Sequence, residues 1–102
     1  MNKPFDLTES IGYQEGSVVS KEIISKSQGT VALFAFDKGQ GLSEHATPYG
    51  ALVYILDGKA EIILSGNKYI LQTGDSIIFP SNEKHALKAI EKFKMLLVMI
   101  RS

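Results

Sequence analysis

The hydrophobic residues of this chain fall in short runs, rich in β-branched and aromatic side chains, rather than in helical stripes. Ser17 to Ser25 mixes apolar and polar residues and predicts a first strand. Glu83 to Lys94 carries charges without an apolar stripe, so it is predicted to form a loop followed by a strand, not a helix. The pattern predicts an all-β fold, because the main runs have strand length: Val31 to Phe36, Leu52 to Leu56, Ala60 to Leu64, Tyr69 to Leu71, Ile77 to Phe79 and Met95 to Ile100.

Turn signals separate these runs at close intervals. Asp57-Gly58 is the sharpest, because a two-residue hairpin turn needs positive φ angles and Asp-Gly adopts them readily. It predicts a hairpin that joins residues 51–56 to residues 59–64. Frequent turns between short strands are typical of a sandwich or a barrel.

Length, charge and cysteine content narrow the function classes. A chain of 102 residues supports one domain, 1–102, with an N-terminal strand region at 1–28 and a barrel at about 29–102. Eleven basic residues balance eleven acidic ones, so neither nucleic acid nor a membrane is an expected partner. No apolar run could span a bilayer and residues 1–10 lack a secretory pattern, which predicts a cytoplasmic protein. With no cysteine, a metal would need His, carboxylate, Tyr or water ligands.

The candidate chemistry centres on two histidines, and the first lies in a regularly spaced stretch. Five residues separate Gly39 from His45, Thr47 and Ala51 follow, and six residues then lead to Gly58. A single histidine is more often a satisfied polar residue than a ligand. The spacing around it is what makes this one a candidate.

The second histidine lies in a stretch of its own. Five residues separate Gly74 from Pro80, Asn82 follows, and two further residues lead to His85. Together the two stretches resemble the paired motifs of the cupin superfamily, Gly-x5-His-x-His-x3-Glu-x6-Gly and Gly-x5-Pro-x-Gly-x2-His-x3-Asn. The resemblance implies a small single-domain cupin: an antiparallel double-stranded β-helix, or jelly-roll barrel.

The resemblance also implies a metal site with half of its usual side chains. In metal-binding cupins, the two histidines and the glutamate of the first motif and the histidine of the second bind one divalent metal. Thr47 and Ala51 occupy two of those positions here, which leaves His45 and His85 as the candidate metal ligands. Imidazole suits Zn, Ni, Cu and Fe, and these are the candidate cofactors.

Strand parity predicts what else lines the site. If His45 faces the interior and its strand has no bulge, alternate residues share its face. Tyr49 is then a candidate third polar group, or else a ring at the barrel rim. The predicted pocket is largely apolar with two imidazoles; its residues are His45, Thr47, Tyr49, Ala51, Val53, Ile55, His85 and Leu87. A separate group of aromatic and methionine residues is predicted to form the core or line the pocket: Phe34, Phe36, Phe79, Met95 and Met99.

The outward side of the same strand predicts a partner. Leu52, Tyr54 and Leu56 point away from the interior and would be exposed unless a second subunit or sheet covers them. We therefore expect a homodimer. The resemblance implies that Ser17 to Ser25 adds to the sheet of the partner chain.

Three functions fit these observations. The first is a binding module that holds a small, partly apolar molecule in the barrel, with the imidazoles as polar contacts. The second is a metal-dependent enzyme, such as a dioxygenase, decarboxylase or isomerase, in which His45 and His85 hold the metal weakly. The third is a metal-free acid/base enzyme with His45 or His85 as the base, which the resemblance implies because sugar-nucleotide epimerases share the fold. It ranks last, because such enzymes need a charged clamp for phosphates and Arg101, the only arginine, lies outside both motifs. The sequence designates no catalytic residue.

Overall fold

Nine strands form two antiparallel sheets that pack face to face in the computed structural model, which describes residues 3–101. Short regular strands follow from the alternating burial of side chains, which is clearest in β4 and β8. The strands are β1 Val18–Lys26, β2 Gly29–Phe36, β3 Gly41–His45, β4 Gly50–Asp57, β5 Lys59–Leu64, β6 Asn67–Gln72, β7 Ser76–Phe79, β8 His85–Ala89 and β9 Phe93–Ile100. Helical structure in the described part of the chain amounts to one 3-10 turn, Thr8–Ser10.

The strand order identifies the architecture. One sheet has the order β1-β2-β9-β4-β7 and the other has the order β3-β8-β5-β6, so consecutive strands often lie in different sheets. This is a jelly roll, and the predicted all-β barrel with no substantial α-helix is confirmed. The segment 83–94 is a loop and strand, also as predicted.

The predicted hairpin at Asp57-Gly58 is wrong. β4 pairs with β7 and β9, whereas β5 pairs with β6 and β8, so the chain crosses between sheets at this turn. Gly58 has φ +91°, and a Cβ there would collide with the backbone of Lys92 and Phe93. The two-residue hairpin lies instead at Ser65-Gly66, where both φ angles are positive and β5 meets β6. Asp-Gly indicates a tight turn, but it does not determine which strands pair with each other.

The N-terminal segment covers part of the outer face of the five-stranded sheet. Ile11 is buried against Leu33 and Ala35 of β2, and Leu56 packs at the edge of this cluster. Lys94 Nζ donates a hydrogen bond to the Thr8 carbonyl at 2.6 Å. Leu52, Tyr54 and Leu56 were predicted to point outward from β4, and the N-terminal segment partly covers Leu56.

The first strand pairs within its own chain. β1 runs antiparallel to β2 from Val18 opposite Phe36 to Lys26 opposite Gly29, with a bulge between Glu22 and Ile24. The sequence-based expectation placed this segment in the sheet of a partner. In the structure it is an edge strand of the chain's own five-stranded sheet, and its addition to a partner's sheet stays a prediction.

Candidate functional site

The two histidines meet at one end of the barrel. His45 ends β3 and His85 begins β8, and the two residues lie opposite each other in the four-stranded sheet. Their Nε2 atoms are 3.1 Å apart, and the rings meet edge to face with centroids 4.3 Å apart. The ring of His85 also stacks on Phe79 of the facing sheet, at 4.2 Å and 17°. The pair therefore bridges the two sheets at the barrel mouth.

The two rings differ in exposure. His85 is only 7% exposed, whereas His45 is classed as exposed. The sequence placed both imidazoles inside the barrel. His45 lies at the opening instead, because β3 is the edge strand of its sheet and the chain turns away directly after it.

Hydrogen bonds to the backbone define which ring nitrogens are available. His45 Nδ1 lies 2.8 Å from the Ser43 carbonyl, and His85 Nδ1 lies 3.2 Å from the Glu83 carbonyl. A carbonyl only accepts, so each Nδ1 carries its proton and donates. In the neutral rings both Nε2 atoms are then lone-pair acceptors that face each other. This arrangement is satisfied when one proton is shared between the rings, when a cation binds both nitrogens, or when a ligand hydroxyl donates to them.

The environment disfavours charge on the inner ring. Burial is the main cause that lowers the pKa of His85. The hydrogen bond to Glu83 opposes this effect, and the nearby ring of His45 adds to it. His85 is therefore biased toward its neutral, accepting form.

Behind the pair lies a small apolar cavity between the sheets, of about 70 Å³. This is room for several water-sized groups, since one ordered water needs roughly 10–15 Å³. His85 and Thr47 are its polar lining residues. The full lining is Phe34, Leu42, Thr47, Ala51, Phe79, His85, Leu87, Met95, Leu97 and Met99.

Four of the predicted pocket residues line this cavity, namely Thr47, Ala51, His85 and Leu87. His45 does not line it but contacts the lining residue His85. Val53 and Ile55 are fully buried but pack deeper in the core. Tyr49 lies away from the cavity, and its ring faces the Arg101 guanidinium at 5.6 Å.

The parity argument was wrong because residues 45 and 51 do not share a strand. β3 ends at His45 in one sheet and β4 begins at Gly50 in the other, so alternation is broken by the loop between them. In that loop the Thr47 hydroxyl donates to the Tyr49 carbonyl at 3.1 Å and accepts from the Tyr49 amide at 3.4 Å. These local bonds occupy the hydroxyl, which makes it a poor ligand group.

Sequence reasoning missed Leu42 and Leu97 as cavity residues. Side chains alternate between the two faces of a strand, so counting alternate positions along β3 and β9 could have identified both as inward-facing. The assignment of Phe34, Phe79, Met95 and Met99 to the core or pocket lining agrees with where they lie.

The side chains present fit only half of a typical metal site. With each Nδ1 bonded to a carbonyl and the two Nε2 atoms 3.1 Å apart, both nitrogens could reach one ion at about 2.0–2.1 Å. Within residues 3–101, no group of three or more His, Cys, Asp or Glu side chains could hold a metal. Water or a bound molecule would have to complete the coordination, and the ion would supply Lewis acidity at the cavity mouth.

The fold and the imidazole pair at the barrel mouth define the chain as a cupin-type barrel. The Cupin_2 family, described as cupin domain, matches residues 32–101. The chain belongs to this family, as the motif spacing had indicated.

Comparison with known proteins agrees with this assignment. A conserved protein of unknown function from Streptococcus pyogenes, SPY1581, superposes with a TM-score of 0.95 at 33% identity, over 100% of this chain and 90% of that one. A Cupin 2 conserved barrel domain protein from Leptotrichia buccalis gives a TM-score of 0.91 at 38% identity, over 95% of this chain and 47% of that one. Pectin degradation protein KdgF of Dickeya dadantii (strain 3937) is 27% identical over 84 residues, which are 80% of this chain and 76% of that protein.

No helix within residues 3–101 has the length and apolar character needed to cross a membrane.

Proposed function

We propose that this protein is a binding module that holds a small, largely apolar molecule between its two sheets. The observation that carries the proposal is the cavity itself, which is walled almost entirely by apolar side chains and has an imidazole pair at its mouth. Apolar walls favour an apolar ligand body, and a few polar groups orient it. The facing Nε2 atoms suit a ligand hydroxyl, which can donate a hydrogen bond to either ring.

The relative named for pectin degradation does not supply a better ligand class. A sugar ring presents hydroxyl groups all around, and each one buried without a partner costs about 1–3 kcal/mol. His85 and Thr47 are the polar side chains in this cavity, and the Thr47 hydroxyl is already engaged. The lining therefore favours a ligand with one polar group over a carbohydrate.

Binding of 1-octanol, followed by NMR chemical-shift changes, tests the proposal. Octanol should shift the signals of Ala51, Leu87 and Met99, and Ala51→Leu should abolish binding by filling the cavity. Ala86→Leu is the matched control, because Ala86 lies on β8 but does not line the cavity. His45→Ala should weaken binding and leave the fold intact. Equal binding by the wild type and Ala51→Leu would refute the proposal.

A metal-dependent enzyme is the second candidate. The observation that favours it is geometric: the two Nε2 atoms lie 3.1 Å apart, and each Nδ1 lies within hydrogen-bond distance of a backbone carbonyl. Calorimetric titration with Zn²⁺, Ni²⁺, Cu²⁺ or Fe²⁺ tests this candidate. Binding should be lost in His45→Ala and should tighten in Ala51→Glu, which supplies a carboxylate ligand. If chelator leaves octanol binding unchanged and no ion binds, the binding module stands and this candidate fails.

We further propose that the protein is a homodimer, with the uncovered outer face of the five-stranded sheet as the interface. One apolar residue from each strand lies in register across this face: Ile24, Val31, Val98, Leu52 and Ile78. Ile24 is 50% exposed and Ile78 is 64% exposed. An apolar row of this kind is costly in water and is suited to a second copy of the same face.

Light scattering tests the dimer. The wild type should have the mass of two chains, and Ile78→Lys should have the mass of one. Ile70→Lys is the control, because Ile70 is 48% exposed on the other sheet. A wild-type mass of one chain at micromolar concentration would refute the dimer.

A further inference from the structure

A groove on the five-stranded sheet adjoins the cavity and shares three of its lining residues. The five-stranded sheet extends beyond the four-stranded one, and the inner face of β1, β2 and β9 lines a groove of about 500 Å³. Phe34, Leu97 and Met99 line both the groove and the cavity. A ligand that reached from the cavity into the groove would pass along these three apolar side chains.

The groove holds an arginine with a fixed orientation. Arg101 Nη1 donates to the Lys26 carbonyl at 3.0 Å and to the Thr30 hydroxyl at 3.1 Å, and its guanidinium lies over the Tyr49 ring at 5.6 Å. The backbone is held as well, because the Arg101 amide donates to the Gln28 carbonyl at 2.7 Å. Three side-chain contacts and one backbone hydrogen bond restrain the Arg101 side chain before any ligand binds. Binding would therefore cost less side-chain entropy.

No carboxylate within residues 3–101 forms an ion pair with this arginine. The ion pair found in residues 3–101 is Lys68 with Glu61, on the other sheet. The hydrogen bonds of the Arg101 side chain all use Nη1, so the outer edge formed by Nε and Nη2 remains free of bonds to residues 3–101. A planar guanidinium with a free edge matches a carboxylate in geometry and charge.

Strand register gives the distance from this arginine to the cavity. Thr30, which contacts Arg101, lies opposite Met99, and Met99 lies opposite Ala51 in the cavity wall. Two strand spacings of about 4.8 Å place Thr30 and Ala51 roughly 10 Å apart. An extended chain gains about 1.2 Å per bond, so roughly eight carbons cover this distance.

We propose that Arg101 is an anion subsite and that the ligand is a medium-chain carboxylate. The carboxylate binds the free edge of the guanidinium, the chain lies along Phe34, Leu97 and Met99, and its far end enters the cavity beside Ala51. This inference rests on the proposed binding function and adds a charged end to the ligand. Glu22 also lines the groove and opposes an anion, which provides a second way to test the charge of the subsite.

Titration calorimetry with octanoate and 1-octanol tests this subsite. Wild-type protein should bind octanoate more tightly than octanol. Arg101→Gln should weaken octanoate binding about tenfold or more, since a hydrogen bond to a charged group contributes about 1.5–3 kcal/mol, and should leave octanol binding unchanged. Lys38→Gln removes the same charge from an exposed turn and is the matched control. Glu22→Gln changes an exposed residue, so it does not threaten the fold, and it should tighten octanoate binding.

The outcomes separate this inference from the proposed function. If octanol and octanoate bind alike and neither Arg101→Gln nor Glu22→Gln changes either affinity, the anion subsite is wrong and the apolar cavity site stands. If octanoate binds but Ala51→Leu has no effect on it, the carboxylate occupies the groove alone and the proposed path into the cavity is wrong. If the wild type binds neither probe, the binding function fails and the subsite fails with it.

Discussion

The two ends of the barrel are built from the same strands but are filled differently. At the end near Gly58, Phe36 and Phe93 stack at 4.4 Å and 7° with no exposure to solvent. At the other end, Ala51 and Met99 lie side by side on β4 and β9, and a cavity remains between the sheets. We call these the closed end and the open end.

The difference shows that side-chain volume, and not the backbone, creates the site. Packed interiors leave few voids larger than a water molecule. The closed end meets that condition, whereas the small residues Thr47 and Ala51 leave space at the open end. The histidine pair lies where this space meets solvent. Function is therefore expected to depend on the open end, and stability on the closed end.

The largest predicted effect is at the closed end. Phe93→Ala should lower the free energy of unfolding by about 3–5 kcal/mol, because it removes a buried ring and leaves a void. Met99→Ala at the open end should cost less than about 2 kcal/mol, since Met99 is half-buried and already borders a cavity. Urea denaturation measures both. Similar losses at the two positions would contradict the proposed division of roles.

Enlarging a side chain should sharpen the same contrast. Ala60→Leu at the closed end should cost about 1–3 kcal/mol, because Ala60 has no exposed surface and a packed core resists extra volume. Ala51→Leu at the open end should cost less than about 1 kcal/mol, because the cavity can accept the added carbons. Thermal melts of the two variants measure the difference. An equal destabilisation would mean that the cavity cannot accept the larger side chain.

Acid should weaken the open end through His85. Its pKa is lowered in the folded protein, so the unfolded chain binds a proton first as the pH falls. Stability is fully present above the unfolded value of about 6.5 and decreases below it, with a slope of at most about 1.4 kcal/mol per pH unit. His85→Phe, which keeps a ring against Phe79, should flatten this slope in urea titrations from pH 7.5 to 5. An unchanged slope would assign the pH dependence to other groups.

The smallest predicted effect is on the outer side of the closed end. The Tyr13 hydroxyl donates to Asp57 Oδ2 at 2.6 Å and so fastens the N-terminal segment to the crossing between the sheets. Tyr13→Phe should cost about 0.5–1.5 kcal/mol, as expected for a partly exposed hydrogen bond. Tyr69→Phe on β6, where the ring is 43% exposed, is the control and should be neutral in the same melts. Matching losses would show that the bond to Asp57 adds nothing.

Local patterns in the sequence indicated most of the strands, although no apolar run marked β3. Alternating apolar residues and turn signals predicted an all-β barrel, and the spacing of the two motifs predicted the family that the match over residues 32–101 confirms. Side-chain alternation and turn geometry are properties of neighbouring residues, so they can be read without knowing the partners.

Only the tertiary structure decided which strands pair and what fills the space between them. Asp57-Gly58 carries a strong hairpin signal, yet it joins two sheets, because β4 pairs with β7 and β9 whereas β5 pairs with β6 and β8. The loop after His45 moves the chain between sheets, so strand parity could not place Tyr49 or the cavity wall. Arg101 gains its position only because Lys26, Thr30 and Tyr49, which are distant in sequence, meet around it. Such contacts depend on long-range pairing and on volumes summed over several strands, which no local pattern of residues encodes.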